Sequence, residues 1–329
     1  MQSPGPIAFV FASFVLGACG DSGGGDAGSD AAGSTGATDA AGSTGATDAA
    51  GTTAPTTGGA DDTTGAATDS GEPAGLGMPE GVSTWRGRSE SPDYTLLAEA
   101  TITNTNGDLT ATLTLADDPD APIGFEMGVY SLVGTHEPTG GLIALAPVAW
   151  TIEPIPLIEL SGFLGSYDPA TKRLTGTIAG YASGIQNTVD DGSLTLDLVD
   201  GPGEPTVRGD EASSLVVGSQ NFGGTMQCAG PVRETAGTLD YDGAGGVVVS
   251  VTLGDPDLAT PLGTYAMRGV HNPSTGGITL APGLWVDSGD NKLNTFVDGT
   301  YDPATRRFDG DVGSYDASCP AATWKSMFE

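Results

Sequence analysis

The stretches GVYSLVGTHEPTGGLIALAPVAW (residues 128–150) and GTYAMRGVHNPSTGGITLAPGLW (residues 263–285) decide the fold, because they are two copies of one pattern. Three marker residues recur at an offset of 135 residues: Tyr130 with Tyr265, His136 with His271, and Trp150 with Trp285. A second pair, LGSYDPATKRLTG (164–176) and DGTYDPATRRFDG (298–310), follows in the same order. An ordered series of matches at one offset indicates an internal duplication.

Both copies have the local signals of antiparallel strands. The first has alternating apolar residues on either side of Asn106-Gly107, and the second turns at Asp242-Gly243. The YDPAT segments offer an Asp that bonds its own turn and a Pro with φ already set. We find no stretch of ten residues with helical periodicity. The sequence therefore predicts an all-β protein with two similar antiparallel β-sandwich or barrel-like domains in tandem, each a meander of six to eight strands. The alternative is that the copies are halves of one closed structure.

The composition of the chain divides it into five segments. We predict a lipoprotein signal peptide at 1–18, a disordered tether rich in Gly, Ala, Thr, Ser and Asp at 19–81, a first β-domain at 82–200, a linker at 201–221 and a second β-domain at 222–329. The tether repeats AGSTGATDA and, up to residue 77, has no aromatic residue, so it cannot bury enough apolar surface to offset its ordering entropy.

The chain is strongly acidic, with a formal net charge of −31. Such a surface repels phosphate backbones, which argues against a nucleic-acid partner. It also repels anionic lipid headgroups, so attachment to a membrane requires an apolar or covalent anchor.

The N-terminal segment supplies such an anchor. Residues 7–18, IAFVFASFVLGA, form about 18 Å of helix, which is too short for a bilayer core of about 30 Å and suits a signal peptide. The run ends in LGAC at Cys19 and resembles the lipobox of bacterial lipoproteins, in which the cysteine thiol receives the lipid. The segment before the apolar run, MQSPGP, departs from that family because it has no Lys or Arg. The alternative is a buried N-terminal strand that ends in a cysteine by chance.

The same resemblance implies a place in the cell. Gly20, rather than Asp, follows the cysteine, which in Gram-negative lipoproteins permits transport to the outer membrane. We therefore expect a lipid-anchored protein of the cell envelope, attached to the membrane through lipid on Cys19, on either the surface or the periplasmic face of the outer membrane.

The other two cysteines, Cys228 and Cys319, lie near the start and the end of the second copy. In an exported domain, an even pair is most simply a disulfide. The alternative is two buried free thiols. The first copy has no such pair, so we expect packing to hold its ends together, with Trp85 as the plug.

The folded part resembles an uncharacterised β-domain of secreted bacterial proteins. The resemblance is carried by the W-x-G opening at Trp85, by the Pro-x-x-Trp strands at 147–150 and 282–285, and by the closing Cys319. The whole arrangement, tether included, is similar to envelope lipoproteins of myxobacterium-like bacteria. The resemblance implies a fold and a location but no activity.

The sequence holds few candidates for chemistry. His136 and His271 occupy equivalent turns without a nucleophile motif, so we interpret them as structural. Calcium is the one candidate cation, at two equivalent acidic loops, with a solvated turn as the alternative. The calcium candidates are Asp117, Asp118, Asp120, Asp255 and Asp257. Trp150 and Trp285 are candidate sugar-stacking platforms, although strand tryptophans more often belong to a core.

These patterns favour a non-enzymatic function. We expect a binding or structural surface module with an unknown protein or glycan partner, no catalytic residues and no cofactor other than calcium. The alternative is a secreted glycan-directed hydrolase that uses paired carboxylates, as acidic β proteins can.

Overall fold

The computed structural model describes residues 77–92, 94–155, 158, 160–179, 192–227, 232–254, 261–288, 295–314 and 322–329, and every helix or strand assigned among them is a β-strand. The predicted all-β fold with two tandem copies is confirmed. Both copies belong to one compact unit, Ala67–Glu329. No helix in the described ranges is long and apolar enough to cross a bilayer.

Each copy contributes eight strands. The strands of the first copy are β1 (Gly81–Glu90), β2 (Thr95–Thr105), β3 (Asp108–Asp117), β4 (Gly128–Glu137), β5 (Leu142–Ile152), β6 (Gly162–Asp168), β7 (Arg173–Ala179) and β8 (Gly192–Asp200). The strands of the second copy are β9 (Gly218–Gln227), β10 (Val232–Tyr241), β11 (Gly246–Gly254), β12 (Pro261–His271), β13 (Gly277–Ser288), β14 (Thr295–Asp302), β15 (Arg307–Ser314) and β16 (Ala322–Phe328).

Every strand pairs antiparallel with the next one along the chain, and the last strand of each copy pairs with the first. In the first copy β1 pairs with β8, and in the second β9 pairs with β16. The copies are therefore two separately closed up-and-down barrels, barrel 1 and barrel 2, rather than sandwiches or halves of one closed structure. Among the sixteen described strands, closure leaves no strand at a sheet edge.

Side chains fill both barrels. Buried and exposed positions alternate along β2 and β3, so one face of each strand lines the interior. Trp85 is fully buried in barrel 1, where its ring centre lies 5.8 Å from that of Tyr167 and its Nε1 donates to Ser83 Oγ at 2.8 Å. It is the plug that the sequence predicts. In barrel 2 the cavity beside Trp324 has a volume of about 10 Å³, too little for a ligand.

The predicted turns form as expected. Asn106 and Gly107 have φ values of 54° and 91°, as a two-residue hairpin with positive φ requires. Asp168 accepts bonds from Ala170 N at 2.9 Å and Thr171 Oγ1 at 2.7 Å. The equivalent Asp302 accepts the equivalent bonds from its own turn.

The predicted domain boundaries shift slightly. Barrel 2 begins at Gly218, inside the segment predicted as linker, and the described residues begin at Gly77, inside the segment predicted as tether. The linker is bound to barrel 1, because Pro79 and Pro205 form a β-bridge and Thr206 Oγ1 donates to Met78 O at 2.9 Å. These contacts were not predicted, because a segment rich in Gly and Pro is typical of a linker without contacts. The signal peptide, Cys19 and the tether up to residue 76 lie outside the described residues.

Candidate binding site at the junction of the two barrels

The two barrels meet through equivalent surfaces. Ala146 of β5 and Ala281 of β13, which are 135 residues apart, are both buried in a small apolar cluster with Phe296. Phe296 fits because its counterpart is a glycine: a Cβ on Gly162 would lie 2.1 Å from the Phe296 ring. Contact between the same patch on both copies is the arrangement of a twofold dimer, here within one chain.

The turns at the ends of β4 and β12 cross the junction reciprocally. In barrel 1 the fully buried Glu137 accepts from the amides of Thr139 and Gly140 and packs against Gly245 of barrel 2. A Cβ on Gly245, at φ 101°, would lie 2.5 Å from Glu137 Cγ.

In barrel 2 the fully buried Asn272 occupies the place of Glu137. Its Nδ2 donates to Asn106 O of barrel 1 at 2.8 Å, directly over Gly107. Each copy therefore inserts a polar turn residue against a hairpin glycine of the other.

Arg208, from the segment between the barrels, also reaches this region. Its Nη1 lies 3.8 Å from Glu137 Oε1 and its Nη2 lies 2.8 Å from Glu211 Oε1. The cation compensates the buried charge of Glu137.

A chain of hydroxyl groups crosses the junction on one side. Thr279 Oγ1 of barrel 2 donates to Asp298 Oδ1 at 2.5 Å and lies 2.8 Å from Thr135 Oγ1 of barrel 1. Because the Thr279 proton points to the carboxylate, Thr135 is the donor in the second bond. In the other direction, Thr275 Oγ1 of barrel 2 donates to Asp108 Oδ1 of barrel 1 at 3.2 Å.

The carboxyl groups on this side are perturbed. Burial raises the pKa of Asp298 to about 6; the hydroxyl of Thr279 opposes that shift, and the charges of Asp108 and Asp311 add to it. Burial also raises the pKa of Asp108, against the bond from Thr275, although much of the Asp108 residue remains exposed to solvent. One side of the junction is therefore acidic and only partly hydrated.

The opposite side of the junction is a cleft of about 610 Å³. Barrel 1 lines it with β5 to β7, including Leu164 and Thr177, and barrel 2 lines it with β10 to β12. Asp240, Val248 and Arg268 face one another across three adjacent strands of barrel 2 and form one wall.

Equivalent positions on the two sides carry different chemistry. Leu164 of the cleft corresponds to Asp298 of the acidic side, and Thr177 corresponds to Asp311. Arg268 corresponds to Val133. The duplication therefore gives one largely apolar cleft, whose wall holds Arg268 together with Asp240 and Asp242, and one acidic counterpart.

The two histidines hold the chain that leads into each barrel. His136 Nε2 accepts from Met78 N at 3.0 Å, and its Nδ1 bonds Leu142 O at 3.1 Å. His271 Nε2 accepts from Leu215 N at 3.1 Å, and its Nδ1 bonds Gly277 O at 3.1 Å. Burial lowers the pKa of each imidazole to about 4. Both rings are neutral and structural, in agreement with the sequence-based interpretation.

The described half of the calcium prediction does not form a cation site. Asp117 accepts from Ile123 N and Gly124 N at 2.9 Å, so its carboxylate is used within its own loop. Asp118 is buried and lies 3.2 Å from Arg88 Nη2, whereas Asp120 is exposed. No group of three or more potential ligands among His, Cys, Asp and Glu occurs in the described ranges. Asp255 and Asp257 lie outside them.

The remaining candidates are divided between core and undescribed residues. Trp150 is half-buried against the core of barrel 1, with its ring centre 4.9 Å from that of Tyr130, so it is a packing residue. The side chain of Trp285 lies outside the described part of the chain, as do Cys228 and Cys319.

The junction residues are the ones that sequence reasoning missed. The outer faces of their strands carry Thr135, Thr279 and Asp298. Polar residues on an outer face are typical of solvent-exposed positions, so the sequence did not indicate that these three are covered. The difference between the two copies could have indicated the junction, because Asp298 occupies the position that Leu164 has in the first copy.

No protein-family model matches the chain, and no curated protein matches it either.

Proposed function

We propose that this chain is a lipid-anchored, non-enzymatic binding module of the cell envelope, and that the cleft between its two barrels receives the partner. The observation that carries the proposal is the 610 Å³ cleft lined by both barrels. Clefts of this size between packed units are the usual place for a ligand. The cavity inside barrel 2 beside Trp324 is only about 10 Å³, which is too small for a ligand.

The anchor part of the proposal rests on the sequence. The apolar run at 7–18 ends at Cys19 in a lipobox-like LGAC, and the following acidic tether repels itself and the membrane surface. Lipid on Cys19 would hold the two barrels at the outer membrane, on its surface or its periplasmic face, while the tether lets them reach a protein or glycan partner.

The disulfide part is supported by the strands that flank the cysteines. Gln227, next to Cys228, pairs with Thr323 of the adjacent β16, four residues beyond Cys319. A bond between the two cysteines would therefore join segments that leave neighbouring strands of barrel 2.

The hydrolase alternative is less well supported by the cleft. A glycosidase needs two carboxyl groups on opposite sides of the scissile bond. The cleft carboxylates Asp240 and Asp242 both come from barrel 2, and Asp242 accepts from Ala244 N and Gly246 N of its own turn.

A thermal melting scan tests the proposal. The full chain is melted alone and with peptidoglycan fragments, neutral oligosaccharides or peptides from envelope proteins, and bound ligand at a hundred times its Kd adds about 2.7 kcal/mol. Binding in the cleft predicts that Arg268→Val and Val248→Thr, which install the first copy's residues, lose the shift. Val232→Thr, an exposed valine outside the cleft, is the matched control and keeps it.

Three results would contradict the proposal. A shift that survives both cleft substitutions places the ligand elsewhere. Release of reducing sugar from the oligosaccharides makes the protein a hydrolase. The absence of a shift with every probe removes the support for a cleft ligand.

A further inference from the structure

The acidic side of the junction contains a cluster of carboxyl and hydroxyl groups that lies outside the proposed binding cleft. Asp298 of barrel 2 lies under barrel 1, at the end of the hydroxyl chain that begins at Thr135. Asp311 is its direct cross-strand neighbour on β15. Asp108 reaches the same region from barrel 1.

A glycine makes this convergence possible. A Cβ on Gly277 would lie 3.1 Å from Asp108 Oδ1 and 3.2 Å from the hydroxyls of Thr135 and Thr275. Carboxyl groups from both barrels and three threonine hydroxyls are thereby packed into one partly buried cluster.

The charges around Asp298 are of one sign. Asp108 comes from barrel 1 and Asp311 from the neighbouring strand, and both raise the pKa of Asp298. On β4, which packs over the cluster, Glu137 is directed to its own turn amides and Arg208. When Asp298 ionises, the negative charges of the two barrels therefore repel each other across the junction.

We propose that this cluster makes the junction between the barrels responsive to pH, so that the barrels hold together more tightly in mildly acidic than in alkaline solution. This inference rests on the proposed function for its biological use, since the cleft exists only while the barrels stay together. Acidification would then stabilise the cleft, and alkaline conditions would loosen it.

The direction follows from linkage. The closed junction raises the pKa of Asp298 to about 6, from 3.8 for the free side chain. The closed form therefore binds a proton more tightly than an opened one, and protonation favours closure. The additional stability that protonation gives the closed junction is fully present below pH 3.8 and is lost as the pH rises through 6. Between pH 8 and pH 5 these two pKa values give a change of at most about tenfold in the closed-to-open ratio, because Asp311 and Thr279 of the same barrel stay beside Asp298 when the junction opens.

Cysteine labelling in the full chain measures this ratio. Ala281→Cys places a thiol at the buried centre of the junction, and Ala100→Cys places one inside barrel 1. Labelling by a small thiol reagent is followed at each site by peptide mass spectrometry at pH 5 and pH 8, and is corrected with a free cysteine peptide for the thiolate fraction. The first site reports opening of the junction, and the second reports unfolding of the barrel.

We expect greater protection of the junction thiol at pH 5 than at pH 8, by up to about tenfold, with no matching gain at the interior thiol. Asp298→Asn keeps an acceptor for Thr279 but cannot ionise, so its junction thiol should be well protected at both pH values. Asp309→Asn removes an exposed carboxylate from β15 and should behave as the parent does.

Two outcomes would overturn the inference. One is equal protection of the junction thiol at pH 5 and pH 8 in the parent, and the other is a pH dependence that persists in Asp298→Asn. Neither outcome bears on whether a ligand shifts the melting temperature, so failure here is distinguishable from failure of the proposed cleft.

Discussion

Mild acid should weaken the fold through two buried histidines. His136 and His271 each accept a backbone N–H at Nε2, so a proton there would place two donors against each other. The pKa of each is lowered to about 4 in the folded chain, against about 6.5 when unfolded. Between these values the unfolded chain binds protons that the folded chain does not, so the free energy of unfolding falls as the pH falls.

The magnitude follows from the same two pKa values. Between pH 7 and pH 5, each histidine lowers the free energy of unfolding by about 2 kcal/mol, and the two together by about 4 kcal/mol. Asp298 acts in the opposite direction, because its raised pKa favours the folded chain in acid, and it offsets about 1 kcal/mol. The turn carboxylates Asp168 and Asp302 have lowered pKa values, so they titrate below this window.

Urea unfolding at pH 7 and pH 5, followed by circular dichroism of the full chain, measures the loss. We expect a net loss of about 3 kcal/mol in the parent. His136→Gln and His271→Gln should each be less stable at pH 7 and should each remove about 2 kcal/mol of the pH-dependent loss. The two variants are matched controls for each other, since they lie in different barrels. If the double variant lost as much stability between pH 7 and pH 5 as the parent does, the histidine argument would be refuted.

Three further predictions concern the junction and the cysteines. Gly245→Ala should destabilise the chain by at least about 1 kcal/mol in urea unfolding, because the site has positive φ and no space for a Cβ, whereas Gly223→Ala, with nothing within 4 Å, should have little effect. Cys228→Ser should lower the free energy of unfolding by about 3 to 5 kcal/mol if a disulfide to Cys319 closes barrel 2, and intact-mass measurement before and after reduction should show its two hydrogens. Cys19→Ser should move the protein from the membrane to the soluble fraction of expressing cells, and equal membrane association would contradict the lipid anchor.

The sequence was most informative where chemistry is local. Asn-Gly hairpins and the Asp-Pro turns depend on a few adjacent residues, so the strands between them could be predicted. The burial of Trp85 was predictable because the first copy has no cysteine pair. The choice between sandwich and barrel was not, because both give the same alternation along each strand and differ only in whether the first strand meets the last.

The junction could not be predicted because it uses the outer face of the barrels. Along β13 and β14, Thr279 and Asp298 read as solvated polar residues until barrel 1 covers them. The alternation along a strand indicates which of its faces is buried inside its own barrel. It does not indicate whether a second barrel covers the outer face. Comparison of the copies does contain the information, since Gly162 accepts Phe296 and Leu164 replaces Asp298.

That divergence is the strongest argument that the joined pair, rather than the single barrel, is the functional unit. In a dimer of identical barrels, the two sides of a twofold junction must carry the same residues. Fusion into one chain removes this constraint, and here one side is a cleft that holds Arg268 as well as Asp240 and Asp242, whereas the other side is an acidic cluster around Asp298. A junction that served only as a spacer would not need two sides of different charge. A chain whose cleft side carries the residues of the acidic side, with Leu164→Asp and Thr177→Asp, should therefore keep both barrels but lose the ligand-dependent melting shift, and retention of that shift would show that the asymmetry has no role in binding.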